Sequence, residues 1–264
     1  MAGARIDRVR LRRPNLRYPF APDFTRRLER QRVLAVRRRA KYLLVELASG
    51  DILLMHLGMS GSFRVLRAGR ELARRPYYYD VERLEVHDHV VFEMSNGSVV
   101  VFNDPRRFGF MSLLAPGERA THAALGKLGP EPLARTFDSA ALATKLAGRK
   151  TSLKIALSDQ RIVAGLGNIY VSEALHRAGL SPKRKASTLV TPSGAPRPAL
   201  PPLAAAIRQV LQQAIRNQYR TGSDNPFLVY DREGEPCPRP GCGGTVRRIV
   251  QGGRSTFYCP ACQR

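Results

Sequence analysis

The segment that decides the fold reads Cys237-Pro-Arg-Pro-Gly-Cys242, continues for sixteen residues, and closes with Cys259-Pro-Ala-Cys262. These two pairs hold all four cysteines of the 264-residue chain. Two short cysteine pairs separated by a strand-length spacer can surround one tetrahedral metal ion, and four thiolates suit zinc. Two disulfides, or four idle thiols, are the alternative. The chain shows no secretory signal, so we expect a reducing compartment, in which disulfides are disfavoured.

The spacer between the two cysteine pairs predicts a β-hairpin. Two short runs with β-branched and aromatic residues, within Thr245 to Tyr258, flank the turn Gln251-Gly252-Gly253. Glycines accept the positive φ angles of a tight hairpin turn. Arg254 then lies at or just past the tip of the hairpin, where it can reach an anionic partner.

The charge balance indicates the class of that partner. The chain has 44 Lys and Arg against 21 Asp and Glu, a formal net charge of +23. So basic a chain is most simply a polyanion binder, because each phosphate that it neutralises releases condensed counterions. No apolar run reaches transmembrane length, and no basic amphipathic anchor stands out. We therefore expect nucleic acid, and not a membrane, as the partner.

Hydrophobic patterning divides the rest of the chain into a β part and a helical part. The first hundred or so residues predict short strands around two turn signals, Ala48 to Asp51 and Asn96-Gly97, and a loop at Tyr77 to Tyr79. The predicted strands are Tyr42–Leu47, Ile52–Leu57, Val86–Met94 and Val99–Phe102. After about residue 120 the predicted elements are helices, at Ser139–Leu146, Ser152–Asp159, Asn168–Ala178 and from Leu203 to Ile215.

The stretch from Pro182 to Pro202 is rich in Pro, Ser, Thr and Lys and predicts a loop or linker. The fold class is therefore α+β with several domains. We expect a β-sandwich or barrel at residues 1–115, a helical domain at 120–225 and a metal-bound hairpin at 228–264.

One motif predicts an anion site at a helix start. Gly165-Leu-Gly-Asn168 precedes a helical pattern, and the free N–H groups of a first helical turn favour a phosphate. The preceding helix offers Lys154 to the same backbone. The alternative is that Asn168 merely caps its helix.

Two loops carry candidate residues for filling a gap in a base stack. Asp104-Pro-Arg106-Arg107-Phe108-Gly109 places an arginine beside an aromatic residue, which suits that task. His56-Leu-Gly-Met59-Ser-Gly61 holds a methionine between glycines, as an apolar wedge. The alternatives are a buried Phe108 with a solvated Arg106, and an ordinary core position for Met59.

Three further residues have weaker signals. His87 and His89 alternate along a predicted strand, so both would point to one face. A third zinc ligand is not evident there, which favours a phosphate contact or a packed histidine. Lys41 follows the run Arg37-Arg-Arg-Ala at the start of an apolar strand, where it belongs to a solvated face or, with a lowered pKa, takes part in proton transfer.

Together these segments resemble the bacterial formamidopyrimidine-DNA glycosylase family, whose members excise oxidised purines and then nick the strand. The matching strings appear in family order over nearly the whole chain: Arg38-Arg-Ala-Lys-Tyr-Leu-Leu44, His56-Leu-Gly-Met-Ser-Gly61, Asp104-Pro-Arg-Arg-Phe-Gly109, Leu128-Gly-Pro-Glu-Pro-Leu133, Gly165-Leu-Gly-Asn-Ile-Tyr170 and the cysteine hairpin. The resemblance implies an N-terminal β-sandwich, a helix–two-turns–helix domain and a zinc finger, with duplex DNA in the cleft between them. It also implies a monomer in the bacterial cytoplasm, at the nucleoid.

The resemblance also implies roles for individual residues. The zinc ligands for one structural Zn²⁺ would be Cys237, Cys242, Cys259 and Cys262. The phosphate at the lesion would be gripped by Lys154, Asn168 and Arg254. Arg254 is also assigned to δ-elimination and Lys41 to β-elimination. The void left by the flipped nucleotide would be filled by Met59, Arg106 and Phe108, and further DNA contacts would come from His87 and Arg149.

The sequence departs from the family at its start. Family members carry a proline directly after the initiator methionine, and the amine of this proline attacks the sugar C1′. A glutamate that acts as acid and base follows the proline. This sequence opens Met1-Ala-Gly-Ala-Arg5 and has no proline before Pro14. We expect a start called too far downstream; the alternative is a protein that has lost its nucleophile.

A second departure is the segment Tyr219-Arg-Thr-Gly-Ser-Asp-Asn-Pro-Phe227, which is shorter than the family's loop over a flipped 8-oxoguanine. Related members that lack this loop tend to prefer oxidised pyrimidines, so the resemblance implies that preference as the alternative to 8-oxoguanine. The first cysteine pair also has four intervening residues in place of the common two.

The sequence is compatible with three functions. They are a bifunctional glycosylase and AP lyase, a non-catalytic damaged-DNA-binding protein, and a zinc-ribbon RNA binder.

Overall fold

The computed structural model describes residues 1–72, 84–216 and 227–264. The chain forms two compact units, Met1–Gly126 and Lys127–Arg264. The elements of the first unit are β1 (Ile6–Leu11), α1 (Phe24–Leu28), β2 (Val33–Arg39), β3 (Tyr42–Leu47), β4 (Ile52–His56), β5 (Ser62–Arg67), β6 (Arg70–Glu71), β7 (Asp88–Met94), β8 (Ser98–Asn103) and β9 (Phe110–Leu114).

The strands of the first unit make two antiparallel sheets. One has the order β1-β7-β8-β5-β6 and the other β2-β3-β4-β9. A hydrophobic core lies between them, with Ile6, Phe92 and Phe102 from the first sheet and Val45 and Leu53 from the second. The sheets bury alternate side chains against each other, which confirms the predicted β-sandwich.

Both turn signals in this unit are confirmed. β3 and β4 pair across Ala48–Asp51, where the Leu47 amide donates to the Asp51 carbonyl at 3.0 Å. β7 and β8 pair across Asn96-Gly97, and Gly97 takes the positive φ of 75° that the tight turn requires. The loop expected at Tyr77 to Tyr79 lies outside the described residues.

The second unit is helical with one hairpin. Its elements are α2 (Ser139–Leu146), α3 (Leu153–Ser158), α4 (Asn168–Arg177), α5 (Leu200–Arg216), β10 (Arg247–Gln251) and β11 (Arg254–Tyr258). Asp138 caps α2 by accepting the Ala141 amide at 2.8 Å. The core includes Leu142, Leu157, Val171, Leu175 and Ile207, which lie on the inner faces of the four helices. The predicted helices are confirmed to within a few residues at each end.

The stretch from Pro182 to Pro202 is a loop as far as Ala199, as predicted, whereas the alternative of a linker detached from the fold is wrong. A short 3₁₀ turn at Ala186–Leu189 buries both of its end residues in the helical core. α5 begins at Leu200, ahead of Pro201 and Pro202, because proline is tolerated in the first turn of a helix, where N–H groups lack partners anyway. Composition alone did not separate this packed loop from a detached one.

Residues 127–264 belong to one compact unit, because the hairpin segment is bonded along its length to the helices. The finer division at 1–115, 120–225 and 228–264 stays a prediction.

Candidate metal centre and nucleic-acid interface

The four cysteine sulfurs form one cluster. All four Sγ atoms lie within 4.8 Å of one another, and the thiols are not bridged. Cys237 and Cys262 are 3.8 Å apart at Sγ, and Cys242 and Cys259 are 3.6 Å apart. A disulfide needs about 2.05 Å, whereas a tetrahedral zinc with Zn–S bonds of about 2.3 Å separates its sulfurs by about 3.8 Å. The donor set therefore fits zinc, and the disulfide alternative is wrong.

Glycines shape the backbone around Cys242. Gly241 and Gly243 have φ angles of 70° and 61°, which favour glycine. At Gly244 a Cβ would lie 2.8 Å from the Cys259 sulfur and 2.6 Å from the Cβ of Ala261. A side chain at this position would push directly into the metal site.

The hairpin between the cysteine pairs has the predicted geometry. Gln251 pairs with Arg254, so the turn consists of Gly252 and Gly253 alone, with φ angles of 58° and 71°. Two positive φ angles at the central positions of a two-residue turn are typical of type I′. Arg254 is exposed and is the first residue of β11, directly after the tip.

Lys154 reaches the hairpin from α3. Its side chain is only 1% exposed, and Nζ donates to the Gln251 carbonyl at 3.3 Å. Burial, with a smaller contribution from the charge of Arg254, holds the pKa of Lys154 below its usual value. A bound phosphate would oppose both effects, because a negative charge stabilises the ammonium form.

Asn168 reaches the same hairpin from the start of α4. Its Nδ2 donates to the Ser255 carbonyl at 2.9 Å. The N-cap position belongs to Gly167, and no side chain caps this helix, so the interpretation of Asn168 as a simple cap is wrong. Lys154, Asn168 and Arg254 thus converge on the hairpin turn, from three separate segments of the chain; we call them the hairpin triad.

Arg149 is not part of this convergence. It is exposed in the connection between α2 and α3, where its amide donates to the Leu146 carbonyl at 3.1 Å. Its carbonyl accepts the Ser187 amide at 3.0 Å. Among the described contacts none joins Arg149 to the hairpin triad, so its proposed DNA contact stays a prediction.

In the first unit, the apolar side chains of Met59 and Phe108 are both exposed to solvent. Met59 is 60% exposed and Phe108 is 41% exposed, so the core alternatives for these two residues are wrong. The Arg106 guanidinium carbon lies 4.6 Å from the centre of the Phe108 ring, a cation–π distance. The pair therefore presents the aromatic ring of Phe108 together with the N–H donors of the Arg106 guanidinium.

One buried carboxylate joins the loops that carry these side chains. Asp104 accepts the Ser60 hydroxyl at 2.5 Å with Oδ1 and the Gly109 amide at 2.8 Å with Oδ2. The loops also touch directly, because a Cβ on Gly58 would lie 2.5 Å from the Phe108 carbonyl carbon. Met59, Arg106 and Phe108 are therefore held as one assembly.

Lys41 lies in the two-residue turn that joins β2 to β3. The pair Arg39 and Tyr42 closes this turn, in which Ala40 has a φ of 51° and Lys41 is exposed. After burial, the charge of Lys41 is the next cause that lowers the pKa of His56. Its assignment to β-elimination stays a prediction.

The prediction that His87 and His89 share one face of a strand is wrong. His87 ends a 3₁₀ turn, Glu85–His87, before β7 begins. His89 lies on β7, is buried, and its Nε2 is 2.9 Å from the Asp104 carbonyl. His89 is thus a packed histidine, whereas His87 remains partly exposed and available to a phosphate.

Sequence reasoning missed two buried polar residues on α4. Glu173 accepts the amides of the consecutive residues 228, 229 and 230 at 2.8, 2.9 and 3.0 Å. His176 places Nε2 at 3.3 Å from the Cys237 sulfur. The available signal was their three-residue spacing, which puts both on the buried face of the helix.

Comparisons with known proteins agree with this arrangement. Residues 1–111 match the formamidopyrimidine-DNA glycosylase N-terminal domain, residues 128–225 match the H2TH domain of the same proteins, and residues 234–264 match a zinc finger found in FPG and IleRS. The chain belongs to the formamidopyrimidine-DNA glycosylase family. The resemblance is therefore confirmed, as are the fold class and the structural zinc.

Curated relatives of the family align with the whole chain. The formamidopyrimidine-DNA glycosylase of Rhodopseudomonas palustris strain BisB18 is 57% identical over 276 residues, which cover 100% of this chain and 94% of the relative. That of Bradyrhizobium diazoefficiens strain USDA 110 is 52% identical with the same coverage. The family is one of DNA glycosylases, so the predicted class of enzyme is confirmed.

Solved structures agree in fold. The Lactococcus lactis formamidopyrimidine-DNA glycosylase, non-covalently bound to DNA containing an AP site, has a TM-score of 0.82 and 28% identity, covering 100% of this chain and 94% of that one. MutM in complex with DNA containing carbocyclic 8-oxo-G gives a TM-score of 0.81 at 28% identity, with the same coverage. Among the described residues, no helix combines the length and the apolarity needed to cross a membrane.

Proposed function

We propose that this chain is a base-excision-repair DNA glycosylase with AP lyase activity. It removes oxidised bases of the formamidopyrimidine and 8-oxoguanine type from duplex DNA and nicks the strand by β,δ-elimination. The observation that carries this proposal is the hairpin triad, which gathers an ammonium, an amide and a guanidinium at a zinc-supported turn. Its family membership and the damaged DNA bound by its structural neighbours support the same function.

The hairpin triad binds the phosphate next to the damaged nucleotide. Lys154 is buried among groups that disfavour its charge, so a phosphate relieves an electrostatic cost that the free protein carries. Asn168 and Arg254 add donors from two other directions, and charge-assisted hydrogen bonds to phosphate are the stronger kind. Arg254 also acts in δ-elimination, by its place in the family motif.

Met59, Arg106 and Phe108 replace the damaged nucleotide when it leaves the duplex. Flipping a nucleotide costs a few kcal/mol of lost stacking and pairing, which an inserted apolar side chain partly recovers. Both apolar side chains are exposed on linked loops before any DNA is bound, so little ordering is needed on insertion. His87 and Arg149 make further phosphate contacts, and Lys41 assists β-elimination.

The chemical steps need an amine that attacks C1′ of the damaged nucleotide and forms a Schiff base. The glycosidic C–N bond breaks as the new C–N bond forms, and its electron pair leaves with the base. The C1′–O4′ bond of the sugar then breaks as the C=N bond of the Schiff base forms, and its electron pair goes to O4′. The base and O4′ each take up a proton, supplied by the attacking amine and by an acid or water. In the family this amine is that of the proline after the initiator methionine, and this sequence has no proline before Pro14. Within the sequence as written, Lys41 and the amine of Ala2 after methionine removal are the candidates.

Borohydride trapping tests the proposal, because it reduces the Schiff base to a stable protein–DNA crosslink. We would compare the sequence as written with a version preceded by the family's proline and glutamate segment, on a duplex with one abasic site. Trapping by either version supports the enzymatic function, and the pattern identifies the amine. Tight binding by both without trapping by either would refute it. Lys41→Ala in whichever version reacts separates Lys41 from an N-terminal nucleophile.

The proposed partner is duplex DNA with damaged bases or abasic sites, bound by a monomer in the bacterial cytoplasm at the nucleoid. The net charge of +23 predicts binding that weakens steeply with salt. No observation favours a non-catalytic damaged-DNA-binding protein or a zinc-ribbon RNA binder. Most of the short segment Tyr219–Phe227, on which the alternative of oxidised pyrimidines rests, lies outside the described residues.

A further inference from the structure

The two cysteine knuckles differ in the backbone donors that they can offer. In the second knuckle the sulfur of Cys259 accepts the amides of Ala261 and Cys262, two and three residues further on. In the first knuckle the sulfur of Cys237 accepts the amide of Arg239, two residues further on. The residue three positions on is Pro240, and proline has no N–H. One backbone donor is therefore absent by chemistry.

A side chain from α4 approaches the same sulfur. His176 is 2% exposed, and its Nε2 lies 3.3 Å from the Cys237 sulfur, within hydrogen-bond range for sulfur. The other ring nitrogen, Nδ1, is buried and has no hydrogen-bond partner among the described residues. With the proton on Nε2, the ring donates to the sulfur and only the acceptor Nδ1 lacks a partner. With the proton on Nδ1, a buried N–H would lack a partner, and the Nε2 lone pair would face the sulfur, which is also an acceptor.

The ring is held in this position by its own backbone. Arg239, in the first knuckle, donates a guanidinium N–H to the His176 carbonyl. Gln263, next to the second knuckle, donates to the Leu180 carbonyl at 2.9 Å and accepts the Cys259 amide at 2.8 Å. The end of α4 is thus bonded to the first knuckle and the turn that follows α4 to the second, so the imidazole has little freedom to leave the sulfur.

We infer that His176 donates its Nε2–H to the zinc-bound Cys237 thiolate and replaces the backbone donor that Pro240 removes. Four thiolates around one Zn²⁺ leave a net charge of about −2 in the site. Each N–H that points at a sulfur spreads this charge and lowers the basicity of the thiolate, so that protons and electrophiles compete less well with zinc. Without His176, Cys237 becomes the weakest of the four ligands.

The first test is zinc release to a colourimetric chelator from His176→Leu, which keeps an apolar side chain of similar volume and removes the donor. Loss of such outer partners weakens metal binding by about 10–100-fold, so we expect zinc release about 10-fold faster or more. His176→Gln can present an amide N–H and should release zinc at close to the wild-type rate. Ser172→Ala is the matched control, because it removes a different buried polar group, a hydroxyl, from the same helix.

The second test measures the order in which the four cysteines of the zinc-loaded protein are alkylated by limiting N-ethylmaleimide, as determined by mass spectrometry. General loosening of the fold would expose all four cysteines and would not single out Cys237. We expect Cys237 to be the first cysteine alkylated in His176→Leu, but not in wild type, His176→Gln or Ser172→Ala. The double variant His176→Leu/Pro240→Ala restores a backbone N–H at position 240, so we expect part of the zinc retention to return.

Three results would overturn the inference. Wild-type zinc release in His176→Leu would show that the contact carries no energy. An unchanged order of cysteine alkylation, with faster release, would assign the effect to packing. Equal defects in the Leu and Gln variants would show that the N–H is not the group that matters. If His176→Leu does not fold, the Gln variant still decides, because a donor role requires that it fold and retain zinc.

Discussion

Replacing Lys154 by methionine should make the free protein more stable while weakening its binding to DNA. The Lys154 ammonium is buried, and among the described ion pairs no carboxylate balances it. Its hydrogen bond to the Gln251 carbonyl is long, at 3.3 Å. Methionine has a similar length and suits an apolar environment, so Lys154→Met removes a buried charge without leaving a large cavity.

The size of the gain follows from two opposing effects. A buried ion carries an effective desolvation cost of several kcal/mol, and apolar replacement of buried charges is neutral or stabilising by about 1–4 kcal/mol. The lost hydrogen bond opposes this gain by about 1.5 kcal/mol, the low end for bonds to charged groups. We expect a net stabilisation of about 1 kcal/mol. For a chain of this size that corresponds to a rise in Tm of about 2–4 °C.

The pH dependence has a definite sign. The pKa of Lys154 is lowered in the folded protein, first by burial and then by Arg254, so the unfolded chain binds the proton more tightly. Wild-type stability therefore rises with pH between the lowered folded pKa and the ordinary value near 10.5. The Tm advantage of Lys154→Met should be full below the lowered folded pKa and shrink as the pH rises from there toward the ordinary value.

Binding to an abasic-site duplex should change in the opposite direction. Loss of a charge-assisted bond to phosphate costs about 1.5–3 kcal/mol, or roughly a ten- to hundredfold rise in Kd. Lys150→Met is the control, because Lys150 is exposed and its loss removes the same charge without relieving burial. A Lys154→Met protein less stable than wild type at pH 7, or one that binds the lesion duplex equally well, would refute this reasoning.

The other predictions concern the hairpin, the metal and the paired loops. Arg254→Ala should reduce strand nicking at an abasic site more than it weakens binding to undamaged duplex, in gel and fluorescence assays; equal losses would make Arg254 part of the general positive surface. Cys259→Ser should lower the zinc content and, because metal binding folds so short a segment, weaken lesion binding as well; full zinc occupancy would show that the ligand set is wrong. Gly58→Ala should lower the unfolding free energy by about 1–3 kcal/mol, since its Cβ would meet the Phe108 backbone at 2.5 Å, and denaturant titration checks this. Gly117→Ala is its control, with a similar positive φ but no atom within 4 Å, and an equal loss there would reduce the effect to backbone strain.

Local sequence patterns predicted most of the fold because the strands, turns and helices are determined largely by residues close together in the chain. The apolar run Tyr42–Leu47 and the Asn96-Gly97 turn each depend on a few neighbouring residues, and both were found where expected. The prediction that His87 and His89 face the same side failed because it required both residues to lie in one strand. His87 instead ends a 3₁₀ turn, and no local sequence signal marks the start of β7 at Asp88. The loop predicted at Pro182–Pro202 was found as far as Ala199, but its composition gave no sign that Leu189 packs in the core.

The candidate site was predictable only in part, for a related reason. Cysteine spacing revealed the metal centre because all four ligands lie within one short segment. Lys154 bonds to Gln251, which is 97 residues away in sequence, and no periodicity predicts a contact over that distance. Family motifs identified both Lys154 and Asn168 as functional, but the burial of Lys154 and the contact of His176 with Cys237 could be found only in the three-dimensional structure.

The hairpin segment is too small to position itself, and α4 supplies what it lacks. Its own hydrophobic cluster contains little more than Val229, Val246 and Phe257, and modules of this size need a metal or a partner to hold one conformation. Zinc fixes the internal geometry of the segment, whereas its direction is fixed by α4, which bonds to it near the beginning, middle and end of the helix. Because one rigid helix makes all three contacts, a defect at the zinc end should also misplace Arg254 at the other end. Zinc and the phosphate grip are therefore physically coupled, although no metal ligand needs to touch DNA.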